Sequence, residues 1–246
     1  GSMPLRELLD CKLQGIMVHD LNSHFEKRLG QIRIDYLNAS WLIFGDGFNQ
    51  GTWRTAVKRV FDIFSATVLI VVSAPVMLIA AICIKLESAG PALYRQERVG
   101  QNGRGFSIAK FRSMRTDAEK DGKPRWASAN DDRVTRVGNI IRRLRIDELP
   151  QFLNVLFGHM SVVGPRPERQ YFIDKIIEIA PEYTELLKVK PGITSIGQIR
   201  FGYAANVDQM VERLQFDLIY PKRRSLSFDL WIIAQTLRVM AQGRGQ

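Results

Sequence analysis

Two adjacent carboxylates, Asp147 and Glu148, are the residues whose types and spacing most clearly allow chemistry. They follow a short arginine-rich segment that contains Arg142, Arg143 and Arg145. Positive neighbours favour ionised carboxylates, so we expect both side chains to be charged. Adjacent helical residues point about 100° apart, so one carboxylate could hold Mg²⁺ while the other attacks a phosphorus atom. An acidic pair on an ordinary solvated helix face is the alternative.

A second group of candidates consists of cations that suit phosphate recognition. Arg166 lies between two prolines in the segment Val163–Glu168, which reads as a rigid turn. A guanidinium held in this way can bind a phosphate through two parallel hydrogen bonds. The same segment is equally compatible with a purely structural turn. Lys110 and Arg112, in the sequence KFR, are weaker candidates for the same role.

The element that must position these residues at a membrane is a run of 22 uncharged residues, Ile63–Ile84. As a helix it would be about 33 Å long, enough to cross a hydrocarbon core of about 30 Å. Pro75 removes a backbone hydrogen bond near its middle, and Ser73 can return one to a nearby carbonyl. Both flanks are basic, which places both on the cytoplasmic side. We therefore expect a re-entrant helix–break–helix with Ser73 and Pro75 at the break; a buried soluble helix is the alternative.

The charge balance limits the class of partner. The chain has 246 residues, with 35 Lys and Arg against 25 Asp and Glu, a formal net charge of +10. Such a surplus indicates nucleic acid, a phosphorylated substrate or an anionic membrane. Two cysteines and three unclustered histidines exclude a disulfide scaffold and a zinc site. A basic nucleic-acid-binding module and a non-catalytic membrane scaffold stay open as alternatives, although the uncharged segment argues against the first.

The chain divides into three parts. Residues 1–52 are too few to bury a core, and we expect them to be the tail of an upstream domain plus a linker. Residues 53–90 contain the membrane helix, and residues 91–246 are soluble in character. Short strands are predicted near Leu93 and Phe106, and the later apolar spacing is helical. The expected fold class is α+β, mostly α.

The region Lys58–Met240 resembles the bacterial sugar transferase family, the monotopic polyprenyl-phosphate hexose-1-phosphate transferases. The resemblance rests on five blocks: KRVFDI, QERVGQNGRGFSIAKFRSM, DDRVTRVGNIIRRLRIDELPQFLNVLFGHMSVVGPRPE, KVKPGITSIGQI and LQFDLIYPKRRSLSFDL. IDYLNASWLIFGDGF and FGYAANVDQ are similar to the large exosortase-associated exopolysaccharide branch. That branch implies a longer protein with further membrane helices and a Rossmann-like domain, so we expect this chain to be its catalytic part.

The resemblance implies a phosphoglycosyl transferase at the bacterial inner membrane, with a cytosolic catalytic domain over 91–246 docked by interfacial helices. It implies transfer of hexose-1-phosphate from a nucleoside-diphosphate sugar to undecaprenyl phosphate. We expect the donor to be a UDP-hexose. Inner-membrane lipids are a further partner, no nucleic acid is expected, and a homodimer stays open. The family's Ser-Pro pair reads Ser73-Ala74-Pro75 here.

The resemblance also implies roles for single residues. Asp147 corresponds to the nucleophile that forms a covalent phosphosugar intermediate. Glu148 corresponds to a ligand of Mg²⁺, the expected cofactor. Arg142, Arg166 and Lys110 correspond to essential cations, and we expect them to bind substrate phosphates together with Arg112 of the same KFR segment.

Overall fold

Helices dominate the part of the chain that the computed structural model describes, residues 4–18, 21–36, 51–118 and 131–242. They are α1 (Leu5–Leu13), α2 (Leu21–Leu29), α3 (Gly51–Glu87), α4 (Arg136–Arg143), α5 (Gln151–Leu156), α6 (Gln170–Ile179), α7 (Ile196–Arg200), α8 (Val207–Asp217), α9 (Ile219–Arg223) and α10 (Leu226–Ala241). Short 3₁₀ helices cover Ile34–Tyr36, Gln101–Gly103, Ile146–Glu148 and Pro181–Lys188. Most of the stretch IDYLNASWLIFGDGF lies outside the described residues.

Two small sheets complete the fold. The antiparallel hairpin consists of β1 (Leu93–Val99) and β2 (Gly105–Phe111), and the parallel pair consists of β3 (Ser161–Val163) and β4 (Gly192–Thr194). Two-stranded sheets are marginal alone, so both depend on helices packed against them. The Asn154 side chain of α5 accepts from Ala109 N at 3.0 Å and donates to Ser107 O at 2.7 Å, which fixes α5 on β2. The predicted α+β, mostly helical class is confirmed.

The buried apolar residues form three clusters. One is built on α6 and α8, around Ile176 and Leu214. The second joins α3 to α5, β3 and α10, around Val155 and Val163. The third consists of Ala80, Ile84, Phe111 and Ile141, and joins the C-terminal half of α3 to β2 and α4. Helix α3 therefore contributes to two of the three clusters and is part of the fold rather than an appendage.

Helix α3 is long and apolar enough to cross a membrane. Its 37 residues correspond to about 55 Å. Its unpacked face is apolar, with Val60 and Phe64 each 68% exposed. Pro75 lies inside the helix, and Ser73 Oγ donates to Leu69 O at 2.5 Å. Because the helix is continuous through Pro75, the predicted helix–break–helix is not seen as an interruption, and the re-entrant path is not confirmed.

The N-terminal part of α3 is fixed by buried polar contacts. Asp62 is 2% exposed and accepts from Ser161 Oγ at 2.9 Å and from Val162 N at 3.1 Å. Lys58 Nζ lies 2.6 Å from Asp229 Oδ2 on α10. Buried polar groups are costly unless they are paired, so these contacts hold α3 in one register against β3.

The C-terminal end of α3 is fixed by Arg112, the residue that follows β2. Its guanidinium donates to Ala89 O at 2.5 Å, Ser88 O at 2.8 Å and Ile84 O at 3.5 Å. The last carbonyls of a helix lack helical donors, and a cation near them also interacts favourably with the helix dipole. Arg112 therefore has a structural role at the end of α3, and its binding of a substrate phosphate stays a prediction.

We expect Arg112→Gln to lower the free energy of unfolding by about 3 kcal/mol, because it removes buried charge-assisted hydrogen bonds. Thermal unfolding in detergent micelles measures the effect. Arg143→Gln is the control, since this exposed arginine of α4 has no hydrogen bond or ion pair with another described residue. An unchanged Tm for Arg112→Gln, together with weakened substrate binding, would contradict the structural role and support the predicted binding of a substrate phosphate.

Candidate active site

Asp147 and Glu148 lie in the 3₁₀ helix directly after α4. The chain turns sharply at Arg145, whose φ of 58° is in the left-handed region and costs a non-glycine residue on the order of 1 kcal/mol. Arg145 N still donates to Arg142 O at 3.1 Å, which closes the end of α4. Glu148 is only 8% exposed. The acidic pair therefore does not lie on a solvated helix face, which was the alternative interpretation.

Three cations from three parts of the chain hold the Glu148 carboxylate. Its Oε1 lies 2.8 Å from Arg166 Nη2 and 3.2 Å from Lys110 Nζ. Its Oε2 lies 3.8 Å from Arg145 Nη1. Burial by itself raises the pKa of Glu148, but Arg166, Lys110 and Arg145 outweigh it and hold this pKa well below its ordinary value. Glu148 is therefore ionised across the physiological range.

Asp147 lies in a different environment. Its Oδ1 is buried and has no hydrogen-bond partner among the described residues. Burial, and then the negative charge of Glu148, raise the pKa of Asp147 to about 6, although nearby cations oppose the rise. The neighbouring cations therefore do not hold the pKa of Asp147 low as they hold that of Glu148, although a carboxyl with a pKa of about 6 is still mostly ionised at pH 7. Environments that push two pKa values apart are typical of acidic pairs with different roles.

Arg166 is positioned by a turn that the backbone fixes on both sides. Gly164 N donates to Thr194 O at 3.0 Å, and Gly192 N donates to Pro165 O at 2.8 Å. The backbones of Gly164 and Gly192 approach so closely that a Cβ on Gly192 would collide with the Gly164 amide. The turn is therefore structural and also presents Arg166 to Glu148, and the binding of a substrate phosphate by Arg166 stays a prediction.

A buried ion-pair network behind Arg166 was missed by the sequence analysis. Glu168 Oε2 lies 2.8 Å from Arg98 Nη1 on β1, and Glu168 Oε1 lies 3.2 Å from Arg213 Nη2 on α8. Val99 N also donates to Glu168 O at 2.9 Å. These partners are 70 and 45 residues apart in sequence, and no local pattern connects residues at such separations. The charge of Glu148 raises the pKa of Arg166 against the effect of burial, and the charge of Glu168 in this network adds to the rise.

The structure brings together four of the predicted residues, Asp147, Glu148, Lys110 and Arg166, and it adds Arg145. Two other predicted residues, Arg142 and Arg112, lie outside this group. Arg142 is half-buried at the end of α4, and its side chain has no hydrogen bond or ion pair with another described residue. Its assignment to a substrate phosphate stays a prediction. Arg112 caps α3, as described above.

The oxygens of the acidic pair fit a magnesium ion that is shared with a substrate. Asp147 Oδ1 has no hydrogen-bond partner in the described part of the chain, and Glu148 Oε2 has only the 3.8 Å contact with Arg145. Both therefore keep lone pairs free. Mg²⁺ is usually held by one or two carboxylates together with substrate phosphates and water. This donor set suits such a site.

The same site lies inside a region that is shared with known proteins. A family model described as "Bacterial sugar transferase" matches residues 53–243. This range includes nearly all of α3, the four strands and all the site residues described above. The chain belongs to the bacterial sugar transferase family. The resemblance read from the sequence blocks is thereby confirmed at the level of the family.

Curated relatives of this family cover different shares of the chain. A UDP-N-acetylgalactosamine-undecaprenyl-phosphate N-acetylgalactosaminephosphotransferase of Aeromonas hydrophila is 41% identical over 98% of this chain and 56% of its own length. A UDP-glucose:undecaprenyl-phosphate glucose-1-phosphate transferase of Caulobacter vibrioides is 45% identical over 73% of this chain and 68% of its own length. The similarly named protein of Escherichia coli is 42% identical over 74% of this chain. The chain spans only 39% of that relative and about half of the Aeromonas protein.

The raised pKa of Asp147 gives a prediction about stability. The unfolded chain ionises this carboxyl near 3.8 and the folded chain near 6, so the folded state loses stability as the pH rises between these values. Asp147→Asn removes that loss, and we expect it to be more stable than wild type by on the order of 2 kcal/mol at pH 7.5. The difference should shrink toward pH 4.5.

Thermal unfolding of both proteins in detergent at the two pH values measures this difference, with the exposed Asp174→Asn on α6 as the control. A destabilised Asp147→Asn at pH 7.5 would mean that Lys110, Arg145 and Arg166 stabilise the ionised Asp147 more than burial and Glu148 oppose it.

Proposed function

We propose that this chain transfers a sugar 1-phosphate from a nucleoside-diphosphate sugar to undecaprenyl phosphate, with release of the nucleoside monophosphate. The observation that carries the proposal is the buried pair Asp147–Glu148, in which Glu148 is held between Arg166 and Lys110. Membership of the bacterial sugar transferase family and the activities for which its relatives are named support the same reaction. Those names include two different sugars, so the sugar itself is left open.

Asp147 is the proposed nucleophile. With a pKa of about 6 it is mostly ionised at neutral pH, and its Oδ1 has no hydrogen bond to another described residue that would have to break. A carboxylate oxygen forms a bond to the sugar-bearing phosphorus of the donor. The bond from that phosphorus to the bridging oxygen breaks, and its electron pair leaves with the nucleoside monophosphate. An oxygen of the acceptor phosphate then attacks the same phosphorus and releases the Asp147 carboxylate.

The cations of the site neutralise phosphate charge. Phosphoryl transfer depends mainly on positioning and on electrostatic stabilisation, and preorganised cations supply both. Arg166 is fixed by its turn, and Lys110 by β2, before any substrate binds. Both contact the same Glu148 oxygen, so the site holds two half-buried cations around one carboxylate. A donor diphosphate would share these cations with Glu148.

Mg²⁺ is the proposed cofactor, and Glu148 would hold it together with the donor diphosphate, close to Asp147. A bound divalent cation neutralises the diphosphate and so lowers the cost of bringing a carboxylate toward phosphorus. The chain's own contribution is to keep Glu148 ionised through its three cations.

Both ends of α3 contact the same folded domain, which supports a monotopic arrangement. Asp62 binds β3 near the start of the helix, and Arg112 caps its end from β2. In a simple span, the two ends of the apolar segment would lie on opposite sides of the bilayer. We propose that α3 enters and leaves the inner membrane on the cytoplasmic side, with the active site at that surface. The reaction would then be a first membrane step of exopolysaccharide synthesis.

The nucleophile is tested by a single-turnover experiment. Wild-type protein with Mg²⁺ and donor labelled in the sugar phosphate, but with no undecaprenyl phosphate, should release one equivalent of nucleoside monophosphate and retain the label covalently. Asp147→Asn should do neither, since its amide cannot attack phosphorus. Glu148→Gln should reduce the rate at least 100-fold and raise the Mg²⁺ concentration needed.

The control is Asp174→Asn, which changes an exposed carboxylate of α6 and should behave as wild type. Release of monophosphate only after acceptor is added, without trapped label, would mean direct transfer and reduce Asp147 to a base or metal ligand. No release from any donor would leave a membrane scaffold as the function.

The topology is tested by cysteine labelling on a Cys11→Ser, Cys83→Ala background. Ala56→Cys and Ala89→Cys place thiols at exposed positions near the two ends of α3. An impermeant maleimide should label both in inverted inner-membrane vesicles and neither in intact spheroplasts. Labelling of the two sites from opposite faces would establish a span and contradict the monotopic arrangement.

A further inference from the structure

A strongly basic groove lies between the N-terminal end of α3 and the corner that joins α9 to α10. It is lined mainly by four cations and two aromatic rings: Arg54, Lys222, Arg223, Arg224, Phe228 and Trp231. Glu26 of α2 contacts two of these cations, at 2.8 Å from Lys222 Nζ and 2.8 Å from Arg223 Nε. Glu26 is therefore one carboxylate shared by two cations of the groove. None of the residues proposed for the reaction lines this groove.

The other two cations of the groove have no carboxylate partner in the described part of the chain. Arg224 Nη2 donates only to Thr55 Oγ1, a neutral hydroxyl, at 3.0 Å. Arg54 is exposed and has no hydrogen bond or ion pair with another described residue. Like charges held together without counter-charges repel one another, so the groove gains stability when an anion enters it.

The positive charge continues beyond the groove to Lys190. A methyl group on Gly158 would lie 3.4 Å from Arg59 Nη2 and 3.7 Å from Lys190 Nζ, so these two cationic groups border the same point. Lys190 has no ion pair with a described residue. Partial burial, and then the charge of Arg59, lower the pKa of Lys190; Asp62 opposes this change, and Lys58 and Arg224 add to it. The groove and Lys190 therefore belong to one crowded group of cations.

Exposed apolar side chains adjoin these cations. Phe157, next to Gly158, is 73% exposed, and Trp231 in the groove is 37% exposed. Val60 and Phe64 of α3 are each 68% exposed, about two and three helical turns after Arg54. A surface that combines unpaired cations, a tryptophan and an apolar helix face has the composition of a membrane interface, where rings lie at the level of the headgroups.

We propose that this groove binds the phosphate of an anionic bilayer phospholipid, with Arg54 and Arg224 as the hydrogen-bond donors and Lys190 as a further cation nearby. The proposal rests on the membrane association of α3 proposed above. A guanidinium matches a phosphate through paired hydrogen bonds, and the neighbouring apolar face accommodates acyl chains. Each basic residue near an anionic leaflet adds to its attraction. The bound lipid would fix the N-terminal end of α3 at the depth of the headgroups.

The test uses the full chain in neutral detergent micelles, titrated with phosphatidylglycerol or phosphatidylcholine. Retention of each lipid is followed by native mass spectrometry, and stability by Tm. Wild type should retain phosphatidylglycerol preferentially, and Lys190→Gln/Arg224→Gln should weaken its apparent affinity about tenfold. Arg54→Gln, at an exposed residue with no described partner, should weaken it about threefold without affecting the fold.

The matched control is Arg104→Gln/Lys175→Gln, which removes the same charge at exposed positions in the β1–β2 turn and on α6. It should keep wild-type retention. Equal retention of both lipids by wild type would overturn the proposal, as would a Tm shift from inorganic phosphate as large as that from phosphatidylglycerol.

Two further measurements separate this inference from the proposed function. A higher KM for undecaprenyl phosphate in Lys190→Gln/Arg224→Gln would assign the groove to the acceptor and overturn the proposal. Wild type that stays in bacterial membranes after carbonate extraction, yet retains both lipids equally, would count against the groove alone. Wild type that leaves the membranes would count against the membrane association on which the inference rests.

Discussion

The burial of the Glu148 carboxylate is the constraint on which the rest of the site depends. A carboxylate that is 8% exposed stays ionised only if cations replace the water that it has lost. Its three cations come from separate segments: Arg145 from the end of α4, Lys110 from β2 and Arg166 from the turn after β3. The site is therefore complete only when both small sheets are docked around the acidic pair, and neither sheet is stable alone.

Helix α3 provides that docking, because it is attached near β2, which carries Lys110, and to β3, which leads into the turn of Arg166. Asp62 fixes it to β3, two to three residues before the turn of Arg166. Arg112 caps its last turn from a position two residues after Lys110. A helix whose other face is apolar thus forms the frame of the active site. The depth of this helix in a membrane and the geometry around Glu148 are mechanically linked.

The sequence predicted the elements that have a clear period and missed those that depend on distant partners. The apolar spacing alone predicted a helix from Thr135 to Arg145, close to the observed Arg136–Arg143, and the structure adds Thr135 as its N-cap. Strands β3 and β4 have three residues each, too few to show alternation, and were not predicted. Arg112 has the charge of a phosphate ligand, but its carbonyl partners are 23 to 28 residues away and only the folded chain identifies them.

The same distinction explains why the two carboxylates were expected to be alike. In sequence they share their arginine neighbours, but in the fold Arg166 and Lys110 both contact an oxygen of Glu148, while Asp147 Oδ1 is left buried without a hydrogen bond. Burial, and then the negative charge of the ionised Glu148, raise the pKa of Asp147, while Lys110, Arg145 and Arg166 oppose the rise. A poorly solvated carboxylate that ionises near neutral pH is more reactive than a well-paired one. The three cations keep Glu148 ionised, and the charge of Glu148 in turn helps to raise the pKa of Asp147, the proposed nucleophile.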